Sequence, residues 1–510
     1  MLARAFPFAL LLLAACNGSG GGDHGATLRV DVVGSATDEA GAPRRAIVQA
    51  TQTGLVTSDA SGQAVPGIAS SWRVAGDGLS VIFRLRPRTW PDGKPVTASD
   101  VVAVFRRVVA PASRNPLKPL LAGLENAAEV SSGDKPASAL GVGAPVDNVV
   151  EVRLAGVDPT LLPLLAQPGL AIVRGGPRPP PLGPFRIADA TTLPIELTRN
   201  PAAPVAVGVT LSRILVTPVD DPGASIARFA RDRTDLVIGD GLAGLSDARL
   251  LASSNALRLE PSWGVYGYLA NVSHGPLADP QVRRALAMAI DRDDLGSRLF
   301  GAALTPVLGL VPPSAGEPVP AQPDWAIDIL QARLQKAQLL LAAAGFSATN
   351  PLIVTISLPD AREHATVAAE IAADWARIGV RTLVETRTPA EHARAIVQGK
   401  YELALVERSS AIDTPLAFLL PFTCRPGSYC NPVADGLIAA ARTSKQPGAR
   451  TAALVQAEAA MVADTPMITL FAPVRWALVA RRVTGWSGNS AGQHPLALLG
   501  IAHGQEAVSH

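Results

Sequence analysis

The chain has 510 residues, 48% of them hydrophobic, which suffices for two or three packed domains and excludes a disordered protein. A formal net charge of +2, no long basic run and only 4% aromatic residues leave neither a phosphate-tracking stripe nor a base-stacking platform, so nucleic acid is not an expected partner. Six of the 45 basic residues are lysines, so any single arginine carries little information.

At the N-terminus, Arg4 precedes the apolar run AFPFALLLLAA, too short to span a bilayer and of the length of a signal-peptide core. It meets Leu13-Ala14-Ala15-Cys16, which resembles the bacterial lipobox, whose cysteine is diacylated and becomes residue one after cleavage. Residues 1–15 therefore read as a lipoprotein signal peptide, and 16–25 as a lipidated cysteine with a flexible spacer; an ordinary secretory signal is the alternative. Lipid chains anchor by burying methylenes at about 0.8 kcal/mol each, so the expected location is the periplasm, with membrane contact through the lipid only. No second hydrophobic stretch of about 18 residues follows, and the remainder is expected to be soluble.

LRVDVVGS begins a strand-like segment after the spacer, and SVIFRLRP (80–87) alternates between turn signals as a strand. TASDVVAVFRRVV (97–109) reads as a helix capped by Thr97 or Ser99. Proline-rich RGGPRPPPLGP (174–184) is the expected crossing between subdomains, because proline cannot sit inside a ladder. DPQVRRALAMAIDRDDL (279–295) starts with Asp279 as N-cap and Pro280 at the first helical position. Val282, Ala285, Leu286, Ala289 and Ile290 fall on one face of that helix. An irregular segment (311–325) follows, and then helix, strand, helix and strand, with Gly345 and Gly379 as helix stops. Two α/β lobes joined by crossing segments present a concave site at their interface.

Cys424 and Cys430, around a Pro-Gly turn in CRPGSYC, are expected to pair in an oxidising compartment; a metal pair is the alternative, but no histidine lies near. No catalytic motif is complete. Glu363-His364 and Glu391-His392 lack the second histidine of a zinc-protease helix and read as solvated helix faces. GVGAPV (141–146) lacks the third glycine of a dinucleotide loop, Gly93-Lys94 is followed by proline, and GWSG (485–488) lacks the last glycine of a nucleophile elbow. No enzyme activity, metal or cofactor is expected.

With these elements in place, LADPQVRRALAMAIDRDDL (277–295) resembles the "PLxDxRVRQAlxyAIDR" hallmark of the bacterial extracellular solute-binding proteins of family 5, which serve peptide, dipeptide and nickel ABC importers. PGIASSWRV…FRRVV (66–109) resembles a second block of that family, and LGPFRI, IGVRT, YCNPVADGLIAAA and TPMITLFAP agree in order. The resemblance implies an α/β, two-lobed periplasmic-binding-protein clamshell of type II, in its large three-subdomain variant. Lobe one would take 26–267 plus 473–510, with two subdomains crossing near 60–65 and 174–184; lobe two would take 268–472. A monomer would capture a peptide or other small molecule between the lobes and pass it to an ABC permease and its ATPase. A non-transport binding or chaperone-like protein on the same scaffold is the alternative.

The pattern breaks at one informative place. Against the family's "GWxxDxxDPxxFL", VERSSAIDTPLAFLL (406–420) puts Ala411 where an aspartate pairs with the peptide amino group, and Arg408 where the tryptophan belongs. Asp413 substitutes only if the loop shifts, and Arg408, if it faces the cleft, suits an anionic ligand, with Ser409 and Ser410 beside it; a simply solvated arginine is the alternative. Tyr266 and Tyr268 alternate onto one strand face and suit either a wet cleft or packing between the lobes, and Asp240 in IGDGL (238–242) marks a further expected cleft edge.

Overall fold

The computed structural model describes residues 25–502 apart from 37, 39–40, 176–179, 204–207, 240, 252–254, 301–303, 314–318 and 426. Cys16, the signal segment and all of the spacer but its last residue lie outside the described residues. The class is α/β, as expected. Among the described residues the strands form sheets of seven, five and four members and two short hairpin-like pairs.

The seven-stranded sheet runs in the order Leu257–Pro261, Val474–Val479, Leu236–Ile238, Ala26–Val33, Leu211–Val219, Ile195–Arg199, Phe185–Asp189. Ala26–Val33 lies parallel to both of its neighbours. Its Leu28, Val30 and Val32 fill one core while Val33 turns to another, the period-two alternation of a strand covered on both faces.

Between its entry and return the chain builds a separate unit, an antiparallel sheet in the order Ala69–Val74, Ser80–Leu85, Val149–Arg153, Val142–Val146. Helix Ala98–Val109 buries Val101, Val102, Phe105, Val108 and Val109 in that unit's core. At its start, the Asp100 carboxylate accepts from the Thr97 N–H (2.9 Å) and from Trp90 Nε1 (3.1 Å). The entry point corrects the expected crossing near 60–65. Ile47 and Ala50 pack with the seven-stranded sheet, whereas Leu55 and Val56 already belong to the small core, so the chain crosses at 52–54. The turn signal at 60–62 instead closes a local hairpin, Val56–Ser58 with Ala64–Pro66. The return passes beside the entry, where the Gly183 N–H donates to the Thr51 carbonyl (2.9 Å).

The five-stranded sheet runs Arg381–Arg387, Ile353–Pro359, Leu403–Ser409, Gly264–Ala270, Met467–Phe471. Ile353–Pro359, helix Arg362–Ala376 and Arg381–Arg387 form the parallel strand–helix–strand unit expected from the alternation. Two segments join this sheet to the seven-stranded one, 261–264 and 471–474, and they run side by side: the Ser262 N–H donates to the Pro473 carbonyl (3.2 Å). Residues 264–267 therefore belong with the second sheet, ahead of the boundary expected at 267/268.

The helix Pro280–Met288 starts where the sequence says it should, with Asp279 Oδ1 accepting from the Gln281 N–H (2.8 Å). Its apolar stripe is buried as expected, but so are two arginines of the same run, Arg283 and Arg292. Arg283 donates to the carbonyls of Leu277 (2.7 Å), Ala278 (3.0 Å), Thr465 (2.9 Å) and Asp464. Arg292 donates to those of Thr469 and Ala287 (both 2.8 Å). Each guanidinium is thus a multi-pronged donor that satisfies carbonyls at helix ends and strand edges. Glu458 does the converse for the irregular segment, accepting from the N–H groups of Leu310 (3.1 Å), Val311 (2.9 Å) and Ala321 (2.9 Å).

Arg283→Met keeps the apolar stem and removes the donor from four carbonyls, two of them in fully buried contacts. It should lower unfolding free energy by about 3 kcal/mol in urea titrations, the scale of removing one partner from a buried charged network. A loss below 1 kcal/mol, on the scale of a single neutral bond, would show that water replaces the guanidinium.

Candidate binding site

The two large sheets meet along a seam beside the crossing segments. One apolar cluster runs through it without interruption, from Val33, Val237, Leu242, Leu245 and Trp476 on the first side to Tyr266, Tyr268, Phe471 and Trp375 on the second. Polar contacts frame it. The Arg362 guanidinium meets the Asp247 carboxylate at 2.8 Å, and the Ser246 N–H donates to Glu363 Oε1 at 3.3 Å. Glu407 reaches across as well: a Cβ at Gly241 would fall on its carboxylate, and Gly241 takes the left-handed conformation (φ +66°) that glycine tolerates. The IGDGL turn therefore abuts the second sheet, although Asp240 itself lies outside the described residues.

Strand pairing places the candidate residues. Gly264–Ala270 lies antiparallel to Leu403–Ser409 with Tyr266 opposite Glu407 and Val265 opposite Arg408. Because side chains alternate, Tyr266, Tyr268 and Glu407 share one face, and Val265, Val406 and Arg408 share the other. Of the two readings of the tyrosines, packing between the lobes describes this conformation and a wet cleft does not, since both are fully buried. The Tyr266 ring stacks on Phe471 (centroids 4.6 Å apart), and its hydroxyl hydrogen-bonds His364 Nδ1 at 3.0 Å. Tyr268 leans on Trp375.

Ser409 is exposed, and its Oγ accepts from Ser262 Oγ (2.8 Å) in the crossing segment. Ser410 donates its N–H to the Trp263 carbonyl (2.8 Å) and its hydroxyl to that of Ile412 (2.7 Å). Both serines therefore fasten the loop to the crossing. Asp413 is half-buried and engaged within the fold, and Ile412 beside it sits in the core of the small unit. Arg408 is half-buried, with its guanidinium carbon 6.0 Å from the Phe422 ring. Cys424 and Cys430 are disulfide-bonded, as expected.

Glu363, His364 and His392 correct the reading of two solvated faces, for all three are buried. His364 opens a stripe with Val367, Ala368, Ile371 and Trp375, a helical spacing that would have marked it as core-facing. Burial pushes the His364 imidazole down to about 4, against a smaller opposing pull from Glu363, so it is neutral at pH 7. His392 lies between Ser357 and the Leu405 carbonyl (2.8 Å from Nε2). Glu407 escaped the sequence reading, and its meeting with Gly241 was not legible there, because only the approach of two separate sheets brings them together.

Comparison with known proteins gives three concordant findings. The model of "Bacterial extracellular solute-binding proteins, family 5 Middle" matches residues 63–429. The periplasmic oligopeptide-binding protein OppA of Salmonella typhimurium is 26% identical over 483 residues, covering 89% of this chain and 87% of its own. The murein tripeptide-binding protein MppA of Escherichia coli superposes with a TM-score of 0.84 at 22% identity, covering 94% of this chain and 99% of that one. Against the unliganded open form of MppA the score falls to 0.68, at 22% identity and with 94% and 98% of the two chains covered.

Two outcomes are expected from the seam. Gly241→Val places a branched side chain against Glu407 and should hold the sheets apart, raising the radius of gyration in X-ray scattering and weakening solute binding at least about tenfold, or 1.4 kcal/mol. An unchanged radius would show that the seam does not close at this point. His364, with its folded value below its ordinary 6.5, binds its proton more readily unfolded, so stability falls as pH drops from about 6.5 towards 4. His364→Gln should flatten that fall by up to about 3 kcal/mol in denaturant titrations at several pH values; an identical slope would place the charge change elsewhere.

Proposed function

Because the chain belongs to the bacterial extracellular solute-binding proteins of family 5, we propose that it captures a peptide or peptide-like solute in the seam between its two large sheets and delivers it to an ABC permease and its ATPase. The family is non-enzymatic, and its chemistry is binding alone. The observation that carries the reading is the pair of adjacent crossing segments, 261–264 and 471–474, between two sheets that contact each other through Glu407, Glu363 and Arg362. Such a hinge lets solute contacts from both sheets exist only in the closed state, so binding free energy selects closure. The permease then reads the closed surface.

The exported, lipid-anchored location belongs to the same proposal. Cys16 carries the lipid, the folded part extends into the periplasm on its spacer, and the protein works as a monomer. Among the described residues no helix is long and apolar enough to cross a membrane. Ala411, in place of the amino-binding aspartate, favours a second reading in which the scaffold binds or chaperones without transport.

Native mass spectrometry of the mature chain, purified from a periplasm without the lipid, tests the capture step. A discrete co-purified mass is expected, and a solute at 100 times its dissociation constant adds about 2.7 kcal/mol of stability over refolded protein. A chain that is clean and also fails to bind a pool of short peptides would overturn solute capture. Cys16→Ser should move the protein from the membrane to the soluble periplasmic fraction, and unchanged fractionation would remove the anchor.

A further inference from the structure

The small antiparallel unit is fastened to the side of the seven-stranded sheet. Buried Gln493 donates Nε2 to Gln167 Oε1 in the small unit (3.1 Å), and its Oε1 accepts from Gln49 Nε2 (2.9 Å) on helix Ala42–Thr51. Arg88 adds a bond from Nη1 to the Leu182 carbonyl (2.9 Å), at the return of the chain. With both chain crossings on the same side, the small unit moves with the first sheet.

The same unit also touches the helices of the second sheet, through residues outside both crossing segments. Helices Pro432–Thr443 and Pro447–Asp464 share a core with Val265 and Met467 of the five-stranded sheet. Where these helices join, the Val157 N–H donates to the Ser444 carbonyl (2.9 Å), and Arg442 Nη2 donates to the Pro119 carbonyl (3.0 Å). Arg450 Nη2 stands 3.4 Å from Asp158 Oδ1, with the two side chains 6% and 13% exposed. A Cβ at Gly156 would fall 2.5 Å from the Ser444 carbonyl oxygen, so backbone meets backbone. Asp158 is held in place by accepting from the Thr160 N–H (3.0 Å) and hydroxyl (2.7 Å).

We propose that residues 156–158 and 442–450 form a clasp that closes and opens with the hinge, gripping the second sheet's helices from the small unit while the first sheet meets the second at the seam. This rests on the solute-binding reading above. Bending at 261–264 and 471–474 carries the helices with the second sheet and the small unit with the first. The Val157–Ser444 bond and the Asp158–Arg450 pair must then part. Taking two ions out of water offsets most of their attraction, and opening restores their hydration, so the pair fixes the closed geometry without locking it. The clasp sets how long a captured solute is held.

Hydrogen exchange at single amides of the solute-free mature chain tests the clasp. Ala155 is the internal control, since its N–H donates to the Gly123 carbonyl (2.9 Å) within the small unit. Val157 should exchange at least about tenfold faster than Ala155, because the clasp opens without unfolding the unit. Asp158→Asn keeps an oxygen for Thr160, and Arg450→Gln reaches the same pair from the other side. Each should speed Val157 by roughly tenfold more, the scale of a bond to a charged group, leave Ala155 unchanged and raise the radius of gyration in X-ray scattering. The double variant should do no more than either alone. Trialanine should slow Val157 towards Ala155. Equal exchange of the two amides in the wild type, which decides even where a variant does not fold, would overturn the clasp as permanent packing and leave solute capture standing. Fast exchange at Val157 that responds to both variants but not to trialanine or a pool of short peptides would support the clasp and count against the peptide reading.

Discussion

The backbone passes between the two large sheets at 261–264 and 471–474, and these segments lie side by side because the strands flanking them pair in both sheets. Leu257–Pro261 pairs with Val474–Val479 on one side, and Gly264–Ala270 with Met467–Phe471 on the other. A double ladder interrupted at one place has its freedom to bend there, since most residues of the flanking strands are paired. The seam, its closure and the position of the loop 406–414 all follow from that constraint. Ser262, Trp263, Ser409 and Ser410 tie the loop to the crossing itself, so movement at the hinge reaches the candidate ligand contacts directly.

The seam here is largely apolar. Leu242 and Leu245 from one side join Tyr266 and Phe471 from the other in a single buried cluster, while charged groups stand at its margin. Apolar burial is strong but indifferent to chemistry, roughly 25 cal/mol per Å² whatever the partner. Discrimination must come from polar groups that are expensive to leave unmatched. Glu407 turns towards the first sheet, and Arg408 lies on the reverse face of the same strand. A one-residue slip in register would exchange the two, and the extended pairing of Gly264–Ala270 with Leu403–Ser409 prevents it.

The signature run VRRALAMAIDR illustrates how a sequence hallmark can be remote from function. Its apolar stripe docks a helix, and its arginines close carbonyls on the strand Met467–Phe471 and the helix end before it. That strand continues into the second crossing. The hallmark therefore fixes the foundation on which the crossing rests.

Local rules made much of this legible. Asp279 and Pro280 start a helix by their own chemistry, Gly345 and Gly379 stop two others, Thr97 opens a fourth, and Cys424 reaches Cys430 across a turn of a few residues. The periodicities of strand and helix depend only on neighbours along the chain, so the α/β class and the strand–helix–strand unit at 353–387 could be read directly. What remained hidden has one cause. The burial of His364 and of both tyrosines, the Glu407–Gly241 contact, the early crossing at 52–54 and the unpaired charge of Arg408 each depend on which distant segments pack together. Arg283, 181 residues from the Asp464 carbonyl it caps, looked like one more surface arginine in an arginine-rich chain. Sequence by itself determined the elements and the family pattern; tertiary structure alone decided which polar groups lose their water and which find partners, because desolvation is set by packing in three dimensions and leaves no periodic trace along the chain.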